Sequence, residues 1–233
     1  MIFNGNKRQA PQKGVGLFGG TFNPVHLGHL RAAQEVLEEF GLDHIRFIPA
    51  ANPPHKDRHD LVDGAQRFAM LKRAISGNPG FVASDAELKR AGRSYTIDTV
   101  RQMVREMESD ARCYMIVGLD AFMEIDTWKD YREILKTVSL IVMSRPGGSK
   151  GSREDGFPGI EAYLKDRISD AYRTCGNPRT FIHDSWQPVH LCSVTSLDIS
   201  ATTIRRTAGA GRSIRYLVPD TVGAYIEDKG LYT

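Results

Sequence analysis

The stretch Gly16–Leu30, GLFGGTFNPVHLGHL, decides how the N-terminal half of this 233-residue chain folds. A short apolar run ends in two glycines, a proline follows, and two histidines stand three positions apart where a helical apolar pattern begins. Glycine and proline fill a core poorly, since one lacks a side chain and the other fixes the backbone. The stretch therefore predicts a buried strand, then a ligand-binding loop, then the start of a helix.

Strand and helix patterns alternate along the chain around this stretch. Strands are predicted at residues 15–18, 44–50, 81–84, 113–118, 138–144 and 188–194. Helices are predicted over residues 27–40, 63–75, 97–107, 200–208 and 220–229. Apolar strands without polar alternation are typical of a parallel sheet covered by helices on both faces. The fold class is therefore α/β: a single-domain, doubly wound, mostly parallel Rossmann-like sheet with helices on both faces.

The predicted domain occupies residues 14–233, because no long linker divides the middle of the chain. Residues 1–13 lack the apolar segment of a signal peptide and are expected to form a disordered extension. Around residues 147–185 the pattern weakens, since residues 146–156, PGGSKGSREDG, have the composition of a loop. We interpret residues 147–185 as a surface excursion.

Composition excludes several classes of protein. The chain is 41% hydrophobic and 25% charged, which is typical of a soluble globular protein. Its net charge of +3, without a Lys/Arg block, predicts no nucleic-acid partner. No 18-residue apolar run is present, so we expect no membrane span. Cys113, Cys175 and Cys192 are far apart, which predicts free thiols and a cytoplasmic location.

The loop after the first predicted strand is the expected ligand site, because ligands of doubly wound sheets bind where the strand order reverses. Gly19 and Gly20 are expected to let the backbone turn sharply and approach a ligand. His26 and His29 share one face of the following helix, whose N-terminus favours anions. Their imidazoles can donate hydrogen bonds to phosphate oxygens, and Gly28 between them leaves room for a bulky ligand.

Other interpretations of this loop stay open at the level of the residues. His-x-x-His could be half of a zinc site, although no third and fourth ligand are evident. One histidine could simply cap the helix. Gly14, Gly16 and Gly19 match the spacing of the dinucleotide-binding fingerprint, but the strand is predicted to run through these glycines rather than before them.

A second anchor lies near the other end, in residues 197–206, LDISATTIRR. Ser200 is a natural N-cap for the helix that follows, and Arg205 carries a forked donor suited to phosphate. By itself this pattern could be a capped helix with a surface arginine. Beside the histidine loop, it predicts two helix N-termini that clamp one polyphosphate.

These two anchors, GGTFNPVHLGH and ISATTIRR, resemble the nucleotidyltransferase superfamily that carries T/H-x-G-H near its start and I-S-S/A-T-x-I-R near its end. Further segments are similar to blocks of the bacterial nicotinate-nucleotide adenylyltransferase family. They are IPAANPPHK, GRSYTIDTV, GLDAFMEIDTWKD, LIVMSRPG and YLVPDTVGAYIEDKGLY. The resemblance runs from Gly14 to Tyr232, but residues 147–185 match no block, and Ala201 stands where many members have serine.

The resemblance implies adenylyl transfer from ATP to nicotinate mononucleotide, with Mg²⁺ bound through phosphates rather than by protein side chains. The implied catalytic residues are His26, His29 and Arg205. The implied ATP-binding residues are Gly19, Gly20, Thr21, Phe22, Gly28, Gly118, Asp120, Ser200 and Arg205. The implied residues for the second substrate are Lys56, Tyr95, Thr96 and Trp128. Without the resemblance, Lys56 would be a solvated lysine, Asp120 a helix cap and Trp128 a core residue.

Rival functions follow from the same residues. A sibling adenylyltransferase would act on nicotinamide mononucleotide or phosphopantetheine. A nucleotide-binding regulator would keep the pocket without turnover. An RNA-aminoacylating enzyme shares the histidine motif but would need tRNA-binding domains, for which 233 residues leave no room.

Overall fold

The structure is a computed structural model that describes residues 14–51, 61–108, 111–144, 157 and 159–233. Its strands are β1 Gly14–Gly20, β2 His44–Pro49, β3 Phe81–Ala83, β4 Arg112–Gly118, β5 Ser139–Ser144, β6 Arg173–Cys175, β7 Asn177–Ile182 and β8 Val189–Ser193. Its helices are α1 Leu27–Glu39, α2 Gly64–Ile75, α3 Thr96–Glu106, α4 Leu119–Phe122, α5 Tyr131–Thr137, α6 Ile160–Tyr163, α7 Ala201–Gly209 and α8 Asp220–Asp228. The described residues also contain a 3₁₀ turn at Ile125–Thr127 and a π-helical turn at Leu164–Ile168.

The strands form one sheet in the order β3-β2-β1-β4-β5-β8-β7-β6. The pairs from β3 to β8 are parallel, whereas β8, β7 and β6 pair antiparallel. The chain order reverses between β1 and β4, so the crevice for a ligand is expected at the carboxyl ends of these two strands. The predicted α/β class and the mostly parallel sheet are confirmed.

Alternate residues of each central strand enter two different core layers. In β1, Phe18 packs with α1, α2, α7 and α8, whereas Leu17 packs with Met103 of α3. In β4, Ile116 joins the first layer and Val117 joins a layer formed with α3, α5 and α6. Helices therefore cover both faces, which explains the nearly continuous apolar strands. No helix among the described residues is long and apolar enough to cross a membrane.

The described part of residues 147–185, which the sequence pattern places in a surface excursion, is helical from Ile160 to Ile168 and packs partly into the core. Ile160, Leu164 and Phe181 are buried in the layer that contains α3 and α5. β6 and β7 extend the sheet by an antiparallel hairpin. The sequence pattern missed this hairpin because every residue of β6 is exposed and β7 begins with Asn and Pro, so neither strand carries an apolar run.

Candidate active site

The loop between β1 and α1 turns at Phe22 rather than at the two glycines. β1 continues through Gly20, which lies opposite Pro49 of β2. Neither Gly19 nor Gly20 has a positive φ, whereas Phe22 has a φ of 48°. The Phe22 ring is 2% exposed and lies edge-on to Phe18 at 5.7 Å between ring centroids. The expected sharp turn at the glycines is therefore wrong, because packing of a buried aromatic ring holds the left-handed residue instead.

The four glycines assigned to nucleotide binding serve two different purposes. A Cβ added at Gly19 or Gly118 would meet no atom within 4 Å, so these two positions leave space for a ligand. A Cβ at Gly20 would lie 2.9 Å from the Phe22 ring, and one at Gly28 would lie 3.1 Å from His26 Nδ1. Gly20 and Gly28 therefore make room for the protein's own rings, and the room expected at Gly28 is taken by His26.

His26 and His29 lie together, as their spacing predicted. His26 is the N-cap residue of α1 and is 3% exposed. The two imidazoles stack with their centroids 3.6 Å apart and their planes 29° apart. The His26 amide donates to His29 Nδ1 at 3.3 Å, and the two residues form a reciprocal capping pair. The capping role that was an alternative to ligand binding is therefore present, and it also holds the rings at the helix N-terminus.

The start of α7 lies against the start of α1. Ser200 is its N-cap, and Ser200 Oγ accepts from the Thr203 amide at 3.1 Å. The carbonyl oxygen of Ile199 lies 3.9 Å from the position of a Cβ on Gly28. Arg205 Nη1 donates to the Asn23 carbonyl at 3.0 Å, which ties α7 to the loop before α1. The two helix N-termini that the sequence suggested are thus neighbours.

A cavity of about 280 Å³ opens at the carboxyl ends of β1 and β4, where the strand order reverses. Gly19, Gly20, Thr21 and Gly118 line it on the strand side, and Thr96 and Trp128 line it on the helix side. Its remaining wall is mainly apolar, with Leu17, Ile48, Val100, Met115 and Val117. Six of the residues assigned from the sequence therefore surround one cavity.

Other assigned residues lie elsewhere. Tyr95 is the N-cap residue of α3 and does not line the cavity; Lys129 Nζ lies 4.3 Å from the centre of its ring. Asp120 is exposed in the first turn of α4 and is also absent from the cavity wall. The N-cap of α4 is Gly118, so Asp120 does not cap that helix. Lys56 falls outside the described residues.

Comparison with known proteins gives the family. The Cytidylyltransferase-like family model matches residues 17–207. A probable nicotinate-nucleotide adenylyltransferase of Pelobacter propionicus is 42% identical over 94% of this chain and 98% of its own length. The corresponding Geobacter metallireducens protein is 38% identical over 94% of this chain and 98% of its own length. This chain belongs to the nicotinate-nucleotide adenylyltransferase family.

A solved structure shares the fold of this family member at much lower identity. It is the Plasmodium falciparum nicotinic acid mononucleotide adenylyltransferase complexed with NaAD, which is 16% identical with a TM-score of 0.69. The match covers 94% of this chain and 97% of that chain. At this identity the likeness shows the fold alone, and it agrees with the doubly wound sheet described above.

Arg67 of this family member holds the loop of the candidate site, although no motif in the sequence pointed to it. Its side chain is 1% exposed, and it donates to the Thr21 carbonyl at 2.8 Å and the Val62 carbonyl at 2.9 Å. A third donor of the guanidinium reaches the Ala51 carbonyl at 3.4 Å. One guanidinium therefore connects the loop that follows β1 with the loop that follows β2. Burial lowers the pKa of Arg67, but an arginine keeps its charge. An arginine on the apolar face of α2, level with Met70 and Leu71, was the available signal.

Glu87 was also missed. It lines the cavity, and its Oε1 accepts from Thr99 Oγ1 at 2.8 Å. Thr99 Oγ1 in turn accepts from Arg90 Nη1 at 2.9 Å. Burial raises the pKa of the Glu87 carboxyl, while hydrogen bonds from Thr99 and the Ala51 amide oppose that rise. No sequence pattern marks Glu87, because its partners lie in separate segments.

Metal-binding side chains are not grouped in the part of the chain that the structure describes. Within those residues, no cluster of three or more His, Cys, Asp or Glu side chains could hold a metal ion. The stacked pair His26 and His29 therefore has no further ligand of these types beside it in the described structure. The arrangement offers hydrogen-bond donors from the two imidazoles and a positive charge from Arg205.

Proposed function

We propose that this chain transfers the adenylyl group of ATP to nicotinate mononucleotide, forming nicotinate adenine dinucleotide and pyrophosphate. The supporting observation is the junction of the stacked His26 and His29 rings with the Ser200-capped start of α7, beside a cavity at the strand-order reversal. The curated relatives carry the name of this activity. The P. falciparum enzyme with the same fold is complexed with NaAD, the product of such a reaction.

The reaction needs few reactive side chains. An oxygen of the mononucleotide phosphate bonds to the α-phosphorus of ATP, and the bond from that phosphorus to the bridging oxygen of the β-phosphate breaks. The electron pair of the broken bond leaves with pyrophosphate. Since the second pKa of a phosphate monoester is about 6, the attacking oxygen is ionised near neutral pH and needs no general base. Catalysis is alignment of the two phosphates and stabilisation of the charge that moves onto the leaving group.

The two helix N-termini supply that stabilisation in our proposal. His26 and His29 donate to oxygens of the ATP phosphates, and Arg205 adds a permanent charge from α7. Gly19, Gly20, Thr21 and Phe22 place backbone beside the nucleotide, and Gly28 and Ser200 shape the two helix starts. Because these donors are held in place before ATP arrives, little reorganisation is needed at the moment of transfer.

The nucleotide substrate is proposed to be the Mg²⁺ complex of ATP. Mg²⁺ prefers oxygen ligands and keeps several waters, so phosphate oxygens are suitable ligands for it. When bound, the ion would supply positive charge in addition to that of Arg205 for the departing pyrophosphate. We place the reaction in the cytoplasm, where the free thiols Cys113, Cys175 and Cys192 remain reduced.

The pyridine ring of the second substrate is assigned to the cavity. Trp128 lines it and offers a stacking surface, and the backbone at Tyr95 and Thr96 is assigned to the nicotinate carboxylate. Gly118 is open towards the same space, and Asp120 is assigned to the ribose hydroxyls. Lys56 is assigned to a substrate phosphate.

The test is pyrophosphate release from ATP and Mg²⁺ with nicotinate mononucleotide, nicotinamide mononucleotide or phosphopantetheine at matched concentrations. We expect rapid release with nicotinate mononucleotide and much slower release with its amide. Equal rates with acid and amide would contradict the assigned carboxylate contacts. Pyrophosphate release with phosphopantetheine but with neither mononucleotide would show that phosphopantetheine is the substrate. ATP binding without pyrophosphate release with any acceptor would show that the chain is a nucleotide-binding regulator.

A further inference from the structure

The C-terminal end of the chain returns to the loop that carries the catalytic histidines. The Tyr232 hydroxyl donates to Asn23 Oδ1 at 2.8 Å, although 209 positions separate the two residues. The Tyr232 ring packs against the core layer formed with α1, α2, α7 and α8. Burial raises the pKa of Tyr232, which keeps its hydroxyl protonated and able to donate.

Asn23 is the junction through which this contact reaches the site. Its side chain is buried, and Oδ1 also accepts from the Val62 amide at 3.3 Å. Its backbone carbonyl accepts from Arg205 Nη1 at 3.0 Å. His26, the N-cap of α1, follows three positions later. A shift of Asn23 would therefore move both the carbonyl that holds Arg205 and the entry to α1.

The same tail also contacts α7. A Cβ at Gly209, in the last turn of α7, would lie 2.8 Å from the Tyr232 carbonyl oxygen, so the absence of a side chain lets the tail approach. On the other side of the loop, Arg67 holds the Thr21 carbonyl. Residues on α2, on α7 and in the C-terminal tail thus all hold the segment 21–26. The tail is not part of either motif proposed to bind phosphate.

We propose that Tyr232 is a positioning residue for adenylyl transfer: its hydroxyl fixes Asn23, and through Asn23 it aligns Arg205 and the start of α1 with the ATP phosphates. This inference rests on the proposed function, because it assigns those groups to ATP. Tyr232 touches no reacting atom. Its effect is on the rate of the bound complex, since misplacement of a charged donor by a fraction of an ångström lowers transition-state stabilisation.

A purely structural role for Tyr232 is the competing explanation, because its ring fills part of the core. Tyr232→Phe separates the two, since it keeps the ring and removes only the hydroxyl. Tyr225→Phe is the matched control. The Tyr225 hydroxyl also donates to a side chain, Gln66 Oε1, but that partner lies on α2 outside the loop. Both variants lose one part-buried hydrogen bond, so both lose comparable stability.

The experiment measures kcat and KM per folded enzyme for both variants, together with amide hydrogen exchange in residues 21–26. We expect Tyr232→Phe to lower kcat about tenfold with KM for nicotinate mononucleotide unchanged, and to speed exchange in residues 21–26. Tyr225→Phe should have the wild-type kcat and the wild-type rate of hydrogen exchange in residues 21–26. Wild-type kcat and exchange in Tyr232→Phe, or equal losses in the two variants, would overturn the proposal.

Failure of the proposed function gives a different result. If the wild-type protein releases no pyrophosphate with any acceptor, adenylyl transfer is refuted, and hydrogen exchange still reports whether Tyr232 holds the loop. If the wild type is active and Tyr232→Phe is equally active with unchanged exchange, only the positioning role is refuted.

Discussion

The two sides of the proposed site are built differently. The side proposed to bind phosphates, here the phosphate side, consists of the loop 21–26 and the starts of α1 and α7, and it packs with the layer of Phe18 and Ile204. The side proposed to hold the pyridine ring, here the ring side, is the cavity. Its wall includes Leu17 and Val117 from the layers that face α3, and Phe18 and Ile116 from the other layer. The phosphate side is closed by hydrogen bonds around the buried Asn23, whereas the ring side is an open space with a mainly apolar wall.

This difference suggests a division of labour. Phosphates are common to ATP and to every mononucleotide, and stabilising their charge demands donors that are already in place. A ring is selected by the shape of a cavity and a few polar groups. We therefore expect substitutions on the phosphate side to lower kcat, and substitutions on the ring side to change KM and the choice of substrate.

His29→Ala should have the largest effect. It removes one preorganised donor, so we expect kcat to fall by about 10²- to 10³-fold. Because His29 Nδ1 also accepts from the His26 amide, we expect a loss of stability of about 1 kcal/mol. Steady-state kinetics and thermal unfolding measure the two effects separately.

His183→Ala is the control for this variant. His183 stacks on Trp186 at 4.8 Å between ring centroids and does not line the cavity. It should keep the wild-type kcat while losing some stability. Normal turnover of folded His29→Ala would show that His29 is only a helix cap. The expectation that substitutions on the phosphate side lower kcat would then be wrong for this residue.

Trp128→Ala should have an intermediate effect, confined to the ring side. Loss of a stacking surface in the cavity wall should raise KM for nicotinate mononucleotide about tenfold and leave KM for ATP unchanged. Trp186→Ala, which removes the other tryptophan of the chain, should change neither KM. An increase in KM for ATP as large as that for the mononucleotide would contradict the separation of the two sides.

Glu87→Gln should have the smallest effect, visible in the pH dependence of stability. Because burial raises the folded-state pKa of Glu87 above the ordinary value of 4.5, its contribution to stability is fully present below that pH. The contribution is lost as pH rises, since ionisation then disfavours the folded state. Glutamine does not titrate. The melting temperature of Glu87→Gln minus that of the wild type should therefore increase from pH 4 to pH 8.

Glu133→Gln is the control of opposite sign. The hydrogen bond from Lys136 holds the pKa of the Glu133 carboxyl below its usual range, so its contribution is present at neutral pH and lost as pH falls. The melting temperature of Glu133→Gln minus that of the wild type should therefore decrease from pH 4 to pH 8. The decrease should be small because the ion pair of Glu133 and Lys136 is exposed. A trend of the same sign in both variants would contradict the buried environment assigned to Glu87.

Local patterns in the sequence were enough to predict most of the fold, the pairing of His26 with His29 and the Ser200 cap of α7. Strands β1, β4 and β5 are apolar runs, and the Ser200 cap and the spacing of His26 and His29 act within one helical turn. The hairpin of β6 and β7 was missed because edge strands exposed to solvent need no apolar run. The sharp turn was expected at Gly19 and Gly20 but lies at Phe22, which has the left-handed backbone conformation. The sequence could not show this, because the Phe22 ring is held by tertiary contacts such as that with Phe18.

By itself, the sequence determined the order of the elements, the parallel sheet and the two helix N-termini, because periodicity and capping act between residues a few positions apart. Only the tertiary structure decided which distant residues hold the site in place. Arg67 reaches Thr21 over 46 positions, and Tyr232 reaches Asn23 over 209. The place of Arg67 on the apolar face of α2 shows that it is buried but not which carbonyls it reaches, and the contact of Tyr232 leaves no periodic trace. Both contacts depend on how α2 and the C-terminal tail pack against the sheet.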